Sequence, residues 1–161
     1  MANTQSMCTS FMGELLTATH NFGTAPTRGA STADTFKAAL YFASATVNAS
    51  TTAYSTTGEV TNSSGSGYTA GGTTVSNATP PTATNTSSTA GVAYWTPSAS
   101  FSWSALTVTT AFDAVLVYNS TQSNKAVSVH TFGSQTITSG TFTLTMPSNT
   151  TSTALLRLST T

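Results

Sequence analysis

The chain has 161 residues, of which eight are charged at neutral pH (four Lys or Arg and four Asp or Glu), while 38 are Thr and 24 are Ser. The length fits one domain spanning residues 1–161. The formal net charge is zero, so no basic surface is present to release counterions from a nucleic acid, and nucleic acid is not an expected partner. Soluble monomers usually carry far more surface charge. We therefore expect neighbours in an assembly to cover much of this surface.

Residues 1–20 are predicted to form an N-terminal helix or arm. Between residues 4 and 18, apolar side chains recur at the spacing of one helix face, and Thr4 or Ser6 can cap the helix. The residues of this face that we take as interface candidates are Met7, Phe11 and Leu15.

The same segment does not resemble a targeting sequence. Its apolar run is short and contains Glu14, whereas a secretory signal peptide needs a basic start and a longer apolar region. No stretch of the chain approaches the roughly 18 apolar residues of a membrane span. We therefore expect a protein made in the cytoplasm that has no membrane partner.

The middle of the chain contains one clear strand and two loops. Residues 36–42 alternate between Phe36, Ala38, Leu40 and Phe42 on one face and smaller or polar side chains on the other, which predicts a half-buried strand. Residues 21–33 are predicted to form a loop because Gly and Pro interrupt them. The low-complexity stretch 78–90 is predicted to form a surface loop.

The second half is denser in strands. A change of hydrophobic phase near Ala105 predicts a β-bulge. Strands are predicted at 92–96, 101–109, 114–118, 126–132, 141–146 and 153–158, with turns at 119–124, 133–140 and 147–149. About seven short strands at roughly ten-residue spacing indicate an all-β fold. We expect an antiparallel β-sandwich, jelly-roll or immunoglobulin-like, with one short N-terminal helix.

The few titratable residues do not form a recognisable catalytic motif. A Ser-His-Asp triad can be drawn from His20 or His130 with Asp34 or Asp113, but no G-x-S-x-G elbow supports it. We therefore expect no enzyme activity and no catalytic residue. His20 is predicted to cap the helix C-terminus or anchor a loop, and His130 is predicted to lie partly exposed on a strand.

No metal or cofactor site is predicted either. The two His and four acidic residues lack the spacing of a zinc or calcium site. The lone cysteine, Cys8, is predicted to be a small buried hydrophobe.

One group of aromatic residues allows two interpretations. Tyr94, Trp95 and Trp103 can form a platform on which sugars stack, or they can pack into the core. The sequence favours core packing for most of the group, and a glycan-binding site stays an alternative.

Several motifs resemble a family of small structural proteins of tailed bacteriophages. They follow the family's order along nearly the whole chain apart from 78–90, and one departure is Met12-Gly13, where relatives often carry Lys-Gln. The matching motifs are H-x-F at 20–22, D-x-F-K-x-A-L-Y at 34–41, T-G-E-V at 57–60, G-Y-x-A-G-G at 67–72, an aliphatic strand ending in Y-N at 115–119, K-A-V at 125–127 and G-T-F-T-L-T-x-P at 140–147.

This resemblance implies a component of the virion, made in the host cytoplasm. The role we expect is a capsid decoration or cement protein that binds the major capsid protein and itself, as a small oligomer such as a trimer. Two alternatives stay open: a neck or tail component (an adaptor or fibre), and an adhesion module that binds glycans on the host surface.

Overall fold

A computed structural model of the chain describes residues 2–16, 18–22, 33–60, 66–76, 81–84 and 91–159. Most of the predicted loop at 21–33 lies outside these residues, as does the predicted surface loop at 78–90 apart from 81–84.

The described residues form two antiparallel sheets and one short helix, which confirms the predicted all-β sandwich class. Sheet A has the strand order β1-β7-β6-β2-β3, and sheet B has the order β4-β5-β8. The elements are β1 (Ser6–Met7), α1 (Thr9–Leu16), β2 (Phe36–Phe42), β3 (Thr73–Thr74), β4 (Thr82–Ala83), β5 (Val92–Trp95), β6 (Phe101–Asn119), β7 (Lys125–Leu144) and β8 (Leu156–Ser159).

The β2 strand has the predicted bounds but lies deeper than predicted. It pairs with β6 on one side and with β3 on the other. Its two faces are both largely buried, since Ala39 and Tyr41 are as inaccessible as Leu40. The Tyr41 hydroxyl donates to the carbonyl of Ser55 at 2.5 Å. The prediction of a half-buried strand was therefore wrong, because the protein covers the second face too.

The hairpin of β6 and β7 replaces four predicted strands by two long ones. The predicted turn at 133–140 is part of β7, so that prediction was wrong. The rings of Phe132 and Phe142 lie only 4.9 Å apart, although ten residues of extended strand would separate them by roughly 33 Å. The strand therefore bends sharply between the two rings and folds the hairpin over itself.

β-bulges accompany this bend. The pairing of β6 with β7 shifts register at five places, and extra residues of this kind let a strand bend without losing its partner. Ala105 and Ser139 adopt positive φ angles of 53° and 52°. The predicted bulge near Ala105 is confirmed. The residues of 133–140 are mostly small or polar, which accommodates the bend. The same composition is typical of a turn, which is why a turn was predicted there.

The other end of the hairpin is the tight turn predicted at 119–124. Ser123 and Asn124 have positive φ angles of 53° and 59°. The side-chain oxygen of Asn119 accepts hydrogen bonds from the backbone N–H groups of Thr121 and Gln122. This turn closes the hairpin at the edge of the core where α1 packs.

The N-terminal helix is shorter than predicted. It begins at Thr9, because the preceding residues Ser6 and Met7 form β1 and pair with β7. The N–H of Cys8, which is buried as predicted, donates to the carbonyl of Val127 at 3.0 Å. The prediction of a helix from residue 4 capped by Thr4 or Ser6 was therefore wrong, since the edge of β7 supplies these residues with strand partners.

We predict that Gly72→Ala destabilises the fold. Gly72 has φ +72°, and a Cβ there would collide with the carbonyl of Ala38 on β2. The left-handed backbone and the collision together should cost about 2–4 kcal/mol of unfolding free energy, measurable by urea denaturation. Gly133→Ala is the control, because a Cβ at Gly133 meets nothing within 4 Å. Equal stabilities for the two variants would contradict the described packing.

Candidate functional site

An apolar groove of about 100 Å³ lies between helix α1 and sheet B. Its walls come from three parts of the chain: the N-terminal segment, the segment after α1, and the strands of sheet B. The lining residues are Met7, Phe11, Leu15, Phe22, Pro81, Ala93, Tyr94, Trp95, Leu156 and Leu158. We call this feature the apolar groove.

The predicted interface residues meet in the apolar groove. Met7, Phe11 and Leu15 follow one another at four-residue spacing, which aligns Phe11 and Leu15 on one face of α1. Phe11 is 2% exposed and forms the floor, where its ring contacts His20 at 4.9 Å and Phe22 at 6.0 Å. Met7 and Leu15 are only partly buried. The structure thus leaves two of the three accessible from the groove.

The opposite wall is built on β5. Trp95 is 2% exposed and lies 4.8 Å from the ring of Phe22 and 6.3 Å from that of Phe36. These contacts fix the floor of the groove to the core of sheet A. Its neighbour Tyr94 is partly exposed and pairs in register with Arg157 of β8.

The exposed large apolar side chains lie on the elements that line the groove. Within the described residues they are Met12 (48% exposed), Leu16 (90%) and Leu158 (45%). Met12 and Leu16 lie on α1, and Leu158 lines the groove directly. The groove, with Leu158 exposed in it, is therefore the candidate interaction site.

The sequence pattern did not predict that Phe22, Leu156 and Leu158 line this groove. It placed Leu156 and Leu158 on a strand and Phe22 at the start of a loop. With Leu at 155, 156 and 158, however, the strand has no clear alternation that would identify its buried face. Phe22 belongs to the H-x-F motif, and the short distance of this motif from α1 was the one feature of the sequence that could have placed Phe22 beside the helix.

The three residues of the alternative sugar platform lie in two different sheets. Trp103 lies on β6 in sheet A, whereas Tyr94 and Trp95 lie on β5 in sheet B. Trp103 is 6% exposed and its ring stacks on that of Phe142 at 5.8 Å. Other aromatic rings of the protein cover the indoles of Trp95 and Trp103. These two tryptophans therefore pack into the core, which is the other interpretation of these residues.

A polar network holds α1 and the segment after it against the hairpin turn. The Glu14 carboxylate contacts His20 Nε2 at 2.7 Å and Lys125 Nζ at 2.6 Å. Asn119 Nδ2 donates to His20 Nδ1 at 3.1 Å and to Asp34 Oδ2 at 2.7 Å. His20 is therefore a loop anchor, one of its two predicted roles, and its ring also packs on Phe11.

This network stabilises the charged form of Glu14. Burial opposes ionisation of the carboxyl, but hydrogen bonds and charge attraction from Lys125 and His20 outweigh it and lower the pKa of Glu14. The negative charge thereby ties the helix to β7, and the groove depends on that helix for one wall.

Neither histidine is hydrogen-bonded to an aspartate in the described part of the chain. Asp34 accepts from Asn119, and Asp113 accepts from Asn3 at 2.6 Å. His130 Nε2 lies 2.9 Å from Ser128 Oγ, and burial lowers the pKa of His130 to about 4. His130 is partly exposed, as predicted. The described residues also contain no cluster of three or more His, Cys, Asp or Glu suited to a metal ion.

A second buried carboxylate, Glu59, is satisfied by neutral donors. Its Oε1 accepts from the Tyr68 hydroxyl at 2.7 Å and from the Gly71 N–H at 2.6 Å, and its Oε2 accepts from the Tyr54 hydroxyl at 2.7 Å. Burial and the hydrogen bond to Glu59 raise the pKa of Tyr68 far above its ordinary value. This network joins residues 54–60 to residues 66–71, and the Tyr68 hydroxyl also accepts from the N–H of Leu40 on β2 at 3.1 Å.

The chain matches no family model, no curated protein and no solved structure among those compared with it. None of the helices in the described residues has the length and apolar character needed to cross a membrane. The interpretation of the apolar groove therefore depends on its own geometry and chemistry.

We predict that Glu14→Gln lowers stability at neutral pH by about 1 kcal/mol, because a hydrogen-bonded charge is lost. Since the folded-state pKa of Glu14 is lowered, its stabilisation is present above the ordinary glutamate pKa and disappears as pH falls through the folded value. Urea denaturation between about pH 7 and about pH 3 should show the two proteins converging at acid pH.

The comparison of the two proteins removes the contribution of His130, which does not contact Glu14. His130 contributes equally to both proteins, since its lowered pKa makes acid destabilise the fold between about 6.5 and about 4 whether or not Glu14 is present. A stability difference between wild type and variant that stays constant down to the acid limit would contradict the ionised Glu14.

Proposed function

We propose that this protein is a structural component of a tailed-bacteriophage virion that decorates the assembled head and stabilises it. The observation that carries the proposal is the apolar groove, where the predicted interface residues lie together with the exposed side chain of Leu158 in a nearly uncharged chain. The family resemblance in the sequence supports the assignment to a virion. The partner is the major capsid protein in its assembled form.

The groove suits a protein partner with an apolar anchor. A volume of about 100 Å³ accommodates one large aliphatic side chain, and full burial of such a side chain contributes roughly 1.5–3 kcal/mol. Leu158 lines the groove and is 45% exposed, so it supplies further area that water must leave on binding. Interfaces commonly concentrate their energy in a few anchors of this kind.

The proposed mechanism is mass action. A protein that binds the assembled shell, but not the free capsid subunits, stabilises the shell by an amount that grows with the free concentration of the protein. The repeated lattice of a head offers many equivalent sites. This mechanism needs a defined binding surface and no catalytic group.

Copy number tests the position within the particle. We predict a ratio to the major capsid protein near one, or a simple fraction such as one third, in purified virions measured by quantitative mass spectrometry. A neck adaptor or tail fibre, the main alternative in the same particle, gives a few copies per hundred capsid proteins. That outcome would overturn head decoration.

We predict that Leu158→Asp weakens binding to heads that lack the protein. The substitution places a charge in the apolar groove, and losing about 1.5–3 kcal/mol corresponds to an affinity at least about tenfold weaker. Co-sedimentation with the heads measures the bound fraction. Thr110→Asp is the matched control, because Thr110 is exposed on β6 outside the groove. Equal binding by the two variants would exclude the groove as the docking surface.

A further inference from the structure

Among the described residues, β7 has an outer edge without a strand partner beyond residues 125–129, where β1, residues 52–53 and the N–H of Cys8 contact it. β1 pairs only with Ser128 and Val129, while β6 follows the opposite side of β7 as far as Leu144. Within the described ranges no other strand pairs with β7. Outward N–H and C=O groups on such an edge can bond to a strand of another molecule.

One stretch of this edge is regular enough to pair. β7 has no extra residue between Gly140 and Leu144, because the bulge residue of the nearest register shift, Ala105, lies on β6. The next irregularity on β7 itself is at Ser139, with φ +52°. We call this five-residue stretch the Gly140–Leu144 edge.

The Gly140–Leu144 edge lacks the usual protection against strand pairing. Residues 131–146 contain neither a charged residue nor a proline, and these are the residues that commonly block exposed edges. Thr141 and Thr143 are exposed and alternate with Phe142 and Leu144, which is a sequence of high strand propensity.

An incompletely covered aromatic cluster lies at the same edge. The ring of Phe142 is 5.2 Å from that of buried Phe112 and 4.9 Å from that of Phe132. Phe132 and Phe142 are themselves partly exposed. A strand paired to the edge would cover these rings as well as satisfy the backbone.

A second copy of the chain fits this edge well. The other outer strands in the described residues are shorter, with two residues in β1, β3 and β4 and four in β8. Pairing the Gly140–Leu144 edge with its own copy requires a two-fold axis. Antiparallel pairing centred on Phe142 sets Thr141 opposite Thr143 and Phe142 opposite its copy, which are favourable cross-strand pairs, and it brings no like charges together.

We propose that two copies of this chain associate through their Gly140–Leu144 edges, antiparallel about a two-fold axis, so that sheet A continues through the dimer. This surface is separate from the apolar groove, and the dimer does not depend on the proposed function.

Sedimentation equilibrium of the full chain over a wide concentration range tests the dimer. Wild type should show a reversible dimer, and Thr143→Lys should weaken it several-fold, because the two lysines then lie at diagonal positions about the axis. Ser102→Lys is the matched control: Ser102 faces Thr143 across β6 and β7, with hydroxyl oxygens 3.2 Å apart, but lies away from the free edge. Mixing Thr143→Lys with Thr143→Glu should restore association.

Hydrogen exchange supplies an independent readout that needs no variant. The amides of the Gly140–Leu144 edge should exchange more slowly as the concentration of wild-type protein rises. A monomer or trimer at all concentrations, a dimer that the Thr143 variants leave unchanged, or edge exchange independent of concentration would overturn the proposal. Leu158→Asp should dimerise like wild type, so failure of the groove and failure of the edge are distinguishable.

Discussion

The pairing of β6 with β7 is the interaction on which the rest of the structure depends. These two strands supply the centre of sheet A, and the bend between Phe132 and Phe142 folds their aromatic side chains into one cluster. β2 pairs against the β6 side and β1 against the β7 side. The bulges allow both strands to bend while they stay paired. A single hairpin therefore contributes to the core on both sides of the bend.

The scarce charges of the chain are used inside the fold. All four acidic residues accept hydrogen bonds from other parts of the protein: Glu14, Asp34, Glu59 and Asp113. Two of these networks fix parts of the chain outside the long strands, since Glu14 holds the short helix and Glu59 links Tyr54 to Tyr68 and Gly71. Buried carboxylates are tolerated only with such partners.

Local patterns in the sequence predicted the class of fold, the bounds of β2, the turn at 119–124 and the bulge at Ala105. They failed where tertiary contacts decide the outcome. The residues of 133–140 have the composition of a turn, yet pairing with β6 keeps them in a bent strand. Ser6 and Met7 were predicted in the helix but pair with the edge of β7. For the candidate site, helical spacing identified Met7, Phe11 and Leu15, but nothing local places Leu158 across from them, because that contact joins residues far apart in the chain.

An almost uncharged surface determines how such a protein recognises partners. Without charge there is little long-range steering, so association is governed by shape, apolar burial and backbone hydrogen bonds, and it changes little with salt. Orientation must then come from geometry, which a groove between helix and sheet and a strand edge both provide. Weak contacts of this kind suit a repeated lattice, since linking several sites raises overall binding without stronger individual contacts. Both proposed surfaces, the apolar groove and the Gly140–Leu144 edge, therefore require geometrically defined contacts and no charge attraction.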